Sequence, residues 1–132
     1  MKVIYQLIVN GIPKAQPRPR MASNGHAYNP NSADAWKAEV KSAFIPCRRP
    51  AITGPVFLRI NFFLPRPKSM KETPCREPHV KKPDIDNLLK STMDALTEAE
   101  IWKDDAAVFN VGMAKYYARN GKTGAQIIVG TF

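Results

Sequence analysis

The sequence predicts an α+β domain in which two helices pack on a mixed β-sheet, in the order β-α-β-α-β-β. Three observations lead there. About four short runs alternate apolar and polar residues, as strands do. Two longer runs place apolar residues at helical spacing. Clusters of proline, glycine and asparagine punctuate the chain between them. With 132 residues, the chain is the size of one domain, 1–132. Its 44% hydrophobic content is enough to bury a core without staples.

Taken in order, residues 2–9 (KVIYQLIV) alternate Val3, Tyr5, Leu7 and Val9 on one face, with Ile4 and Ile8 on the other, and predict a well-buried strand. Residues 10–31 hold four prolines, two glycines and four asparagines, and predict a long loop that carries Lys14, Arg18 and Arg20. Residues 32–45 repeat Trp36, Val40 and Phe44 at helical spacing, with Asn31 or Ser32 as cap and Pro46 as stop. Residues 56–64 (VFLRINFFL) form a strand between Pro55 and Pro65. Residues 65–83 carry five prolines and six basic residues and predict an exposed, flexible basic loop. Residues 86–98 predict the second helix, capped by Asp86 and buried along Leu89, Met93 and Leu96, with Leu88 and Ala95 at the edge of the stripe. Residues 106–117 predict a strand. The RNGKTG sequence that follows is a hairpin signal, which makes 125–132 its partner.

The charge is uneven. Twenty Lys and Arg against eleven Asp and Glu give +9, the balance of a protein with a polyanionic partner such as nucleic acid. Yet residues 84–105 hold seven of the acids and only two basic residues, a window of −5 inside a remainder of +14. A chain that only grips phosphate gains nothing from that window. One that also holds a divalent cation needs both. No run is long and apolar enough to span a membrane. The first eleven residues lack a signal peptide's apolar stretch. Cys47 and Cys75 are too few for a disulfide scaffold and too far apart for a CxxC metal site. A reduced, cytoplasmic setting is expected. No glycine-rich phosphate loop or Ser/His/Asp grouping appears, and no organic cofactor is expected.

The chemistry concentrates in Lys81-Lys82-Pro83-Asp84-Ile85-Asp86-Asn87-Leu88-Leu89-Lys90 and, farther on, in Trp102-Lys103-Asp104-Asp105. If Asp84 to Asp86 run extended, both carboxylates face one way and Ile85 the other. If Asp86 caps the helix, Lys90 follows one turn later. Two such charges 4 Å apart repel by about 4 kcal/mol at an effective dielectric of 20. Bound Mg²⁺, or Mn²⁺ in its place, removes that penalty and takes one or two carboxylates plus phosphate oxygens and water. A third acid from 104–105 would complete a three-carboxylate cradle. The same residues also read as a plain helix cap, an Asp86–Lys90–Asp94 ion-pair ladder and a solvated turn.

The run KPDIDNLLKSTMDALTEAEIWKDDAAV closely resembles the signature of the RusA-type Holliday junction resolvases, small endonucleases common in prophages. That pattern is D-hydrophobic-D-N-hydrophobic-x-K, then D-A-L on a helix, then W-x-D-D. It is matched from Asp84 to Asp105. The resemblance implies a RusA-like endonuclease domain with Asp84, Asp86 and Asp105 as metal-binding carboxylates and Lys90 as catalytic lysine. Asn87 and Asp104 would have supporting roles. It also implies a homodimer that nicks a four-way DNA junction at two symmetric phosphates, in recombination and repair.

Arg18, Arg20, Arg66, Lys68, Lys71, Arg76, Lys81 and Lys82 are the candidate phosphate contacts. Tyr28, Tyr116 and Tyr117 are candidates to stack on exposed bases. Two rivals remain from the sequence: a non-catalytic basic DNA-binding module, and a nuclease for other branched substrates such as flaps or forks. A small-molecule phosphohydrolase has no use for so basic a surround.

Overall fold

A computed structural model describes residues 1–17, 20, 21, 23, 25, 27, 28 and 33–132. Its main sheet has four strands. They are β1 (Lys2–Asn10), β4 (Val56–Leu64), β5 (Val108–Tyr117) and β6 (Gly124–Thr131). Two helices accompany them, α1 (Asp34–Phe44) and α2 (Ile85–Glu98). The long segment after β1 is not wholly irregular, because β2 (Arg20–Met21) and β3 (Ala27–Tyr28) pair as a small antiparallel ribbon. Asn31 and Ser32, the expected caps of α1, lie outside the described residues. The helix starts from Ala33 without a side-chain cap, and Pro46 falls in the 3-10 turn that ends it.

The strand order is β1-β6-β4-β5. This corrects one expectation: β5 and β6 are not a hairpin pair. β6 lies antiparallel between β1 and β4, while β5 runs parallel to β4 at the sheet edge. The turn itself is as the sequence suggests. Asn120 and Gly121 both have positive φ, 54° and 69°, and the Lys122 N–H donates to the Arg119 carbonyl at 3.0 Å. That local geometry reverses the chain, but burial decides what pairs. Ala125, Ile127 and Val129 of β6 are at most 1% exposed, whereas Phe109, Asn110 and Val111 of β5 are exposed. The more apolar strand takes the centre.

Two glycines let β6 fit there. A Cβ on Gly124, whose φ is +146°, would stand 2.0 Å from the Val9 carbonyl oxygen. One on Gly130 would stand 2.2 Å from the Phe57 ring. Side chains of Val56, Leu58, Ile60, Phe62 and Leu64 alternate onto one face of β4 and join Trp36, Val40 and Phe44 of α1 and Leu88, Ala95 and Leu96 of α2 in a single core.

The buried stripe of α2 differs from the expected one. Leu88, Ser91, Thr92, Ala95 and Leu96 are buried, whereas Leu89 and Met93 are only partly so. Two hydroxyls explain the difference. Thr92 Oγ1 donates to the Leu88 carbonyl at 2.9 Å and accepts from Trp36 Nε1 at 3.1 Å. Ser91 Oγ lies 2.6 Å from the Lys14 carbonyl. Each hydroxyl is satisfied inside, so burying it carries no unpaired polar group.

Residues 65–83 are mostly exposed but are not a free loop. Arg66 ties them down. Its guanidinium donates to Glu77 at 2.8 Å, to the Lys71 carbonyl and to the Ala118 carbonyl, and it lies over the Tyr117 ring. The Arg66 side chain is 10% exposed, and its hydrogen bond to Glu77, aided by hydrogen bonds from Thr73, holds that carboxyl below its ordinary pKa. His79 anchors the end of the segment. Its backbone N–H donates to Lys115, its ring packs on Tyr117, and burial together with nearby Lys115 lowers its pKa.

Replacing Gly124 by alanine should destabilise the fold by about 3 kcal/mol, because the methyl meets backbone rather than a movable side chain. Urea unfolding followed by circular dichroism measures the loss. A change below about 0.5 kcal/mol would contradict the close approach.

Candidate active site

The site is built on α2. The residue at its N-cap position is Asp84 and not Asp86, as the sequence reading had it. Asp84 is extended (φ −68°, ψ 143°), its carbonyl accepts the Leu88 N–H, and its carboxylate makes no capping hydrogen bond. Asp86 sits in the first helical turn. The segment before Asp84 is held from below: Lys115 Nζ donates to the carbonyls of Lys81 (2.5 Å) and Pro83 (2.6 Å), across a cis Lys82–Pro83 bond. Both aspartates are exposed. The positive end of the helix dipole offsets part of the cost of placing two anions there.

Helical spacing then lines up Asp86, Lys90, Asp94 and Thr97 along one edge of α2. Of the Asp86–Lys90–Asp94 ladder, the structure forms the second rung, Lys90 Nζ to Asp94 Oδ1 at 2.8 Å. That hydrogen bond, aided by the charges of Asp94 and Asp105, raises the Lys90 pKa and keeps its amine an ammonium.

Asp105 is docked at the other end of the row. The Thr97 hydroxyl donates to Asp105 Oδ1, and Trp102 Nε1 donates to Thr97 Oγ1 at 2.8 Å and to Asp105 Oδ1 at 3.2 Å. Trp102 is buried, so the group that orients Asp105 is itself rigid. Asp104 uses Oδ1 on the Ala106 N–H at 3.0 Å. Thr97 was missed from the sequence. The available signal was its position seven residues after Lys90, on the same helical edge.

Asp84 and Asp86 therefore stand at one end of the row and Asp105 at the other, with Lys90 between them. From Asp86 to Thr97 the helix rises about 16 Å. Among the described residues, no group of three or more Asp, Glu, His or Cys side chains is gathered to hold a metal ion. The donor chemistry nevertheless suits a hard divalent cation at Asp84 and Asp86, whose exposed carboxylates supply the one or two protein ligands that Mg²⁺ usually takes.

A cleft of about 820 Å³ opens beside Asp84. Asn87, Lys14, Gln16, His79 and Lys82 contribute to its walls. Asn87 also holds the wall by its backbone, its carbonyl accepting the Gln16 N–H at 3.0 Å.

Of the candidate phosphate contacts, Lys68, Lys71, Lys81 and Lys82 are exposed. Arg76 is exposed and stacks over Phe63 and Tyr116. Arg66 is corrected: it is spent on the internal contacts already described and offers no free face. Tyr117, at 7% exposure, is likewise unavailable for stacking on a base. Arg18 and the side chains of Arg20 and Tyr28 lie outside the described residues.

The comparisons bear on this arrangement. The family model described as Endodeoxyribonuclease RusA matches residues 10–128. The chain belongs to the RusA endodeoxyribonuclease family. Among RusA relatives, the crossover junction endodeoxyribonuclease RusA of Escherichia coli (strain K12) is 30% identical over 104 residues, covering 79% of this chain and 70% of that protein. The protein of the same name from Enterobacteria phage 82 is 29% identical over the same shares. The uncharacterized protein YqaN of Bacillus subtilis (strain 168) is 32% identical over 132 residues, covering 90% of this chain and 92% of that protein. The matched region of this RusA-family chain contains the whole acidic row, Asp84 to Asp105.

Two predictions concern the row. Asp94→Asn removes the partner that favours the Lys90 ammonium, so the proton should leave at lower pH. An NMR titration of the Lys90 side chain should show its pKa fall toward the ordinary 10.5. An unchanged titration would remove Asp94 from that role. Thr97→Val frees Asp105 from its hydroxyl donor. DNA cleavage should slow by about tenfold, roughly the cost of one lost hydrogen bond to a charged group, with DNA affinity unaltered in parallel binding assays.

Proposed function

We propose that this protein is a divalent-metal-dependent, structure-selective endodeoxyribonuclease that resolves four-way DNA junctions, acting as a homodimer in the cytoplasm. The observation that carries the reading is the acidic row of α2, with exposed Asp84 and Asp86 at its start and the Lys90 ammonium one turn beyond Asp86, in a chain of the RusA family and of net charge +9. The names of the Escherichia coli and phage 82 relatives supply the substrate.

Asp84 and Asp86 would hold the cation, with Asp105 as a third acid from the far end of the row. Asn87 would orient the pair from the cleft wall. Bound there, Mg²⁺, or Mn²⁺ in its place, would polarise a phosphoryl oxygen and make water a better nucleophile. Water oxygen attacks phosphorus in line and sheds a proton to solvent, the P–O3′ bond breaks, and the departing oxygen takes a proton from solvent in return. The products are a 5′-phosphate and a 3′-hydroxyl, ends that can be ligated. Lys90, held as an ammonium, stabilises the charge that develops on the phosphate oxygens. The exposed lysines and Arg76 hold flanking phosphates. One such site per chain makes one nick, so a two-fold dimer places two nicks symmetrically on a two-fold junction.

The test uses a labelled synthetic four-way junction beside a matched linear duplex, with Mg²⁺ or with EDTA. Paired nicks should appear in the junction alone, only with Mg²⁺. Asp84→Asn and Asp86→Asn should each lower cleavage by at least about 100-fold while junction binding persists. Binding without cleavage in Mg²⁺ and in Mn²⁺ would leave a DNA-binding module. Equal cutting of flaps or forks would change the substrate.

A further inference from the structure

A second basic cleft lies at the far end of the acidic row. About 650 Å³ in volume, it is lined by Arg48, Arg49 and Lys103, with Thr97, Glu100 and Trp102 in its wall. Its cations come from segments some fifty residues apart. The Ile52 N–H donates to the Ile101 carbonyl at 3.0 Å, and Ile52 forms a parallel bridge with Trp102. This pairing sets residues 48–52 beside 101–103. Arg48 is bonded to Glu100 at 3.0 Å. Arg49 and Lys103 are exposed and, among the described residues, are in no ion pair. The cleft therefore keeps two uncompensated positive charges.

Its wall is shared with the acidic row, since Thr97 and Trp102 are the groups that hold Asp105. At the opposite end, Asp84 and Asn87 share the other cleft with Lys14 and Lys82. The row thus runs between two basic clefts. From Asp84 to Thr97 the helix rises about 20 Å, roughly six nucleotides of one duplex strand at 3.4 Å each. A small anion can occupy either cleft. Only an extended polyanion can occupy both.

We propose that Arg49 and Lys103 bind backbone phosphates of the DNA substrate, so that it lies lengthwise along α2 from Lys14 and Lys82 to this cleft. Arg48, held by Glu100, shapes the wall. The proposal rests on the nuclease reading above. These contacts grip phosphate and carry no base information, so they set the register of the strand over the acids and not its sequence.

The experiment measures junction affinity in EDTA across a salt series for the wild type, the Arg49→Ala/Lys103→Ala double variant and Lys103→Glu, with thermal melts to confirm folding. Two lost phosphate contacts should make the slope of log K against log salt shallower by about 2 and weaken binding at 0.15 M salt by about tenfold or more. The loss should be equal for junctions of different sequence. Lys103→Glu should weaken binding through charge reversal alone. Wild-type slope and affinity in folded variants, alongside normal wild-type cleavage, overturns the cleft and leaves the nuclease reading intact. A wild type that neither binds nor cuts the junction overturns both.

Discussion

The angular setting of α2 is the constraint on which the rest depends. A helix of this length can roll by 100° if its apolar stripe shifts by one residue. Here the roll is pinned by two polar contacts and not by shape alone. Thr92 receives the indole N–H of Trp36 from α1, and Ser91 meets the Lys14 carbonyl of the segment after β1. With those two residues facing inward, Asp86, Lys90, Asp94 and Thr97 must face outward together. A stripe centred on Leu89 and Met93 would have rolled the charged edge toward neighbouring elements, where charges without partners are costly.

The same helix divides a structural role from a chemical one. Its inner side joins the core, and its N-terminal end is held through the Asn87 carbonyl, which accepts from Gln16, and by the ties that Lys115 makes just before it. The outer edge carries charges that repel one another, relieved by Lys90 in the middle and by hydrogen bonds to Asp105 at the end. This arrangement keeps stability largely independent of the exposed carboxylates, which leaves them open to chemistry.

Much of this was legible in the sequence, and the exceptions share a cause. Strand β4 and the extent of α2 follow from local pattern, as does the motif from Asp84 to Asp105. The angular roll of α2 was misjudged because serine and threonine count as polar, although a helix can satisfy their hydroxyls against its own carbonyls. Arg66 was read as a phosphate contact because its internal partners, Glu77 and the carbonyls of Lys71 and Ala118, come together only in three dimensions. The Asn120-Gly121 turn was correctly seen, but a turn signal carries no information about which strand lies beyond the next. The anchor of Asp105, Thr97, looked like one more polar position on a helix surface.

The position of β6 has a consequence for how the protein is made. The strand with the highest residue numbers occupies the interior of the sheet, hydrogen-bonded to β1 on one side and β4 on the other. Until the ribosome releases it, β1 has no partner in the main sheet, and β4 can pair only with β5. Ladder contacts between Lys2 and Thr131 span nearly the whole chain, a topology of high contact order that folds slowly. The nascent chain therefore waits with an open groove between two apolar strands, and a polypeptide that stops short of β6 has nothing to close it.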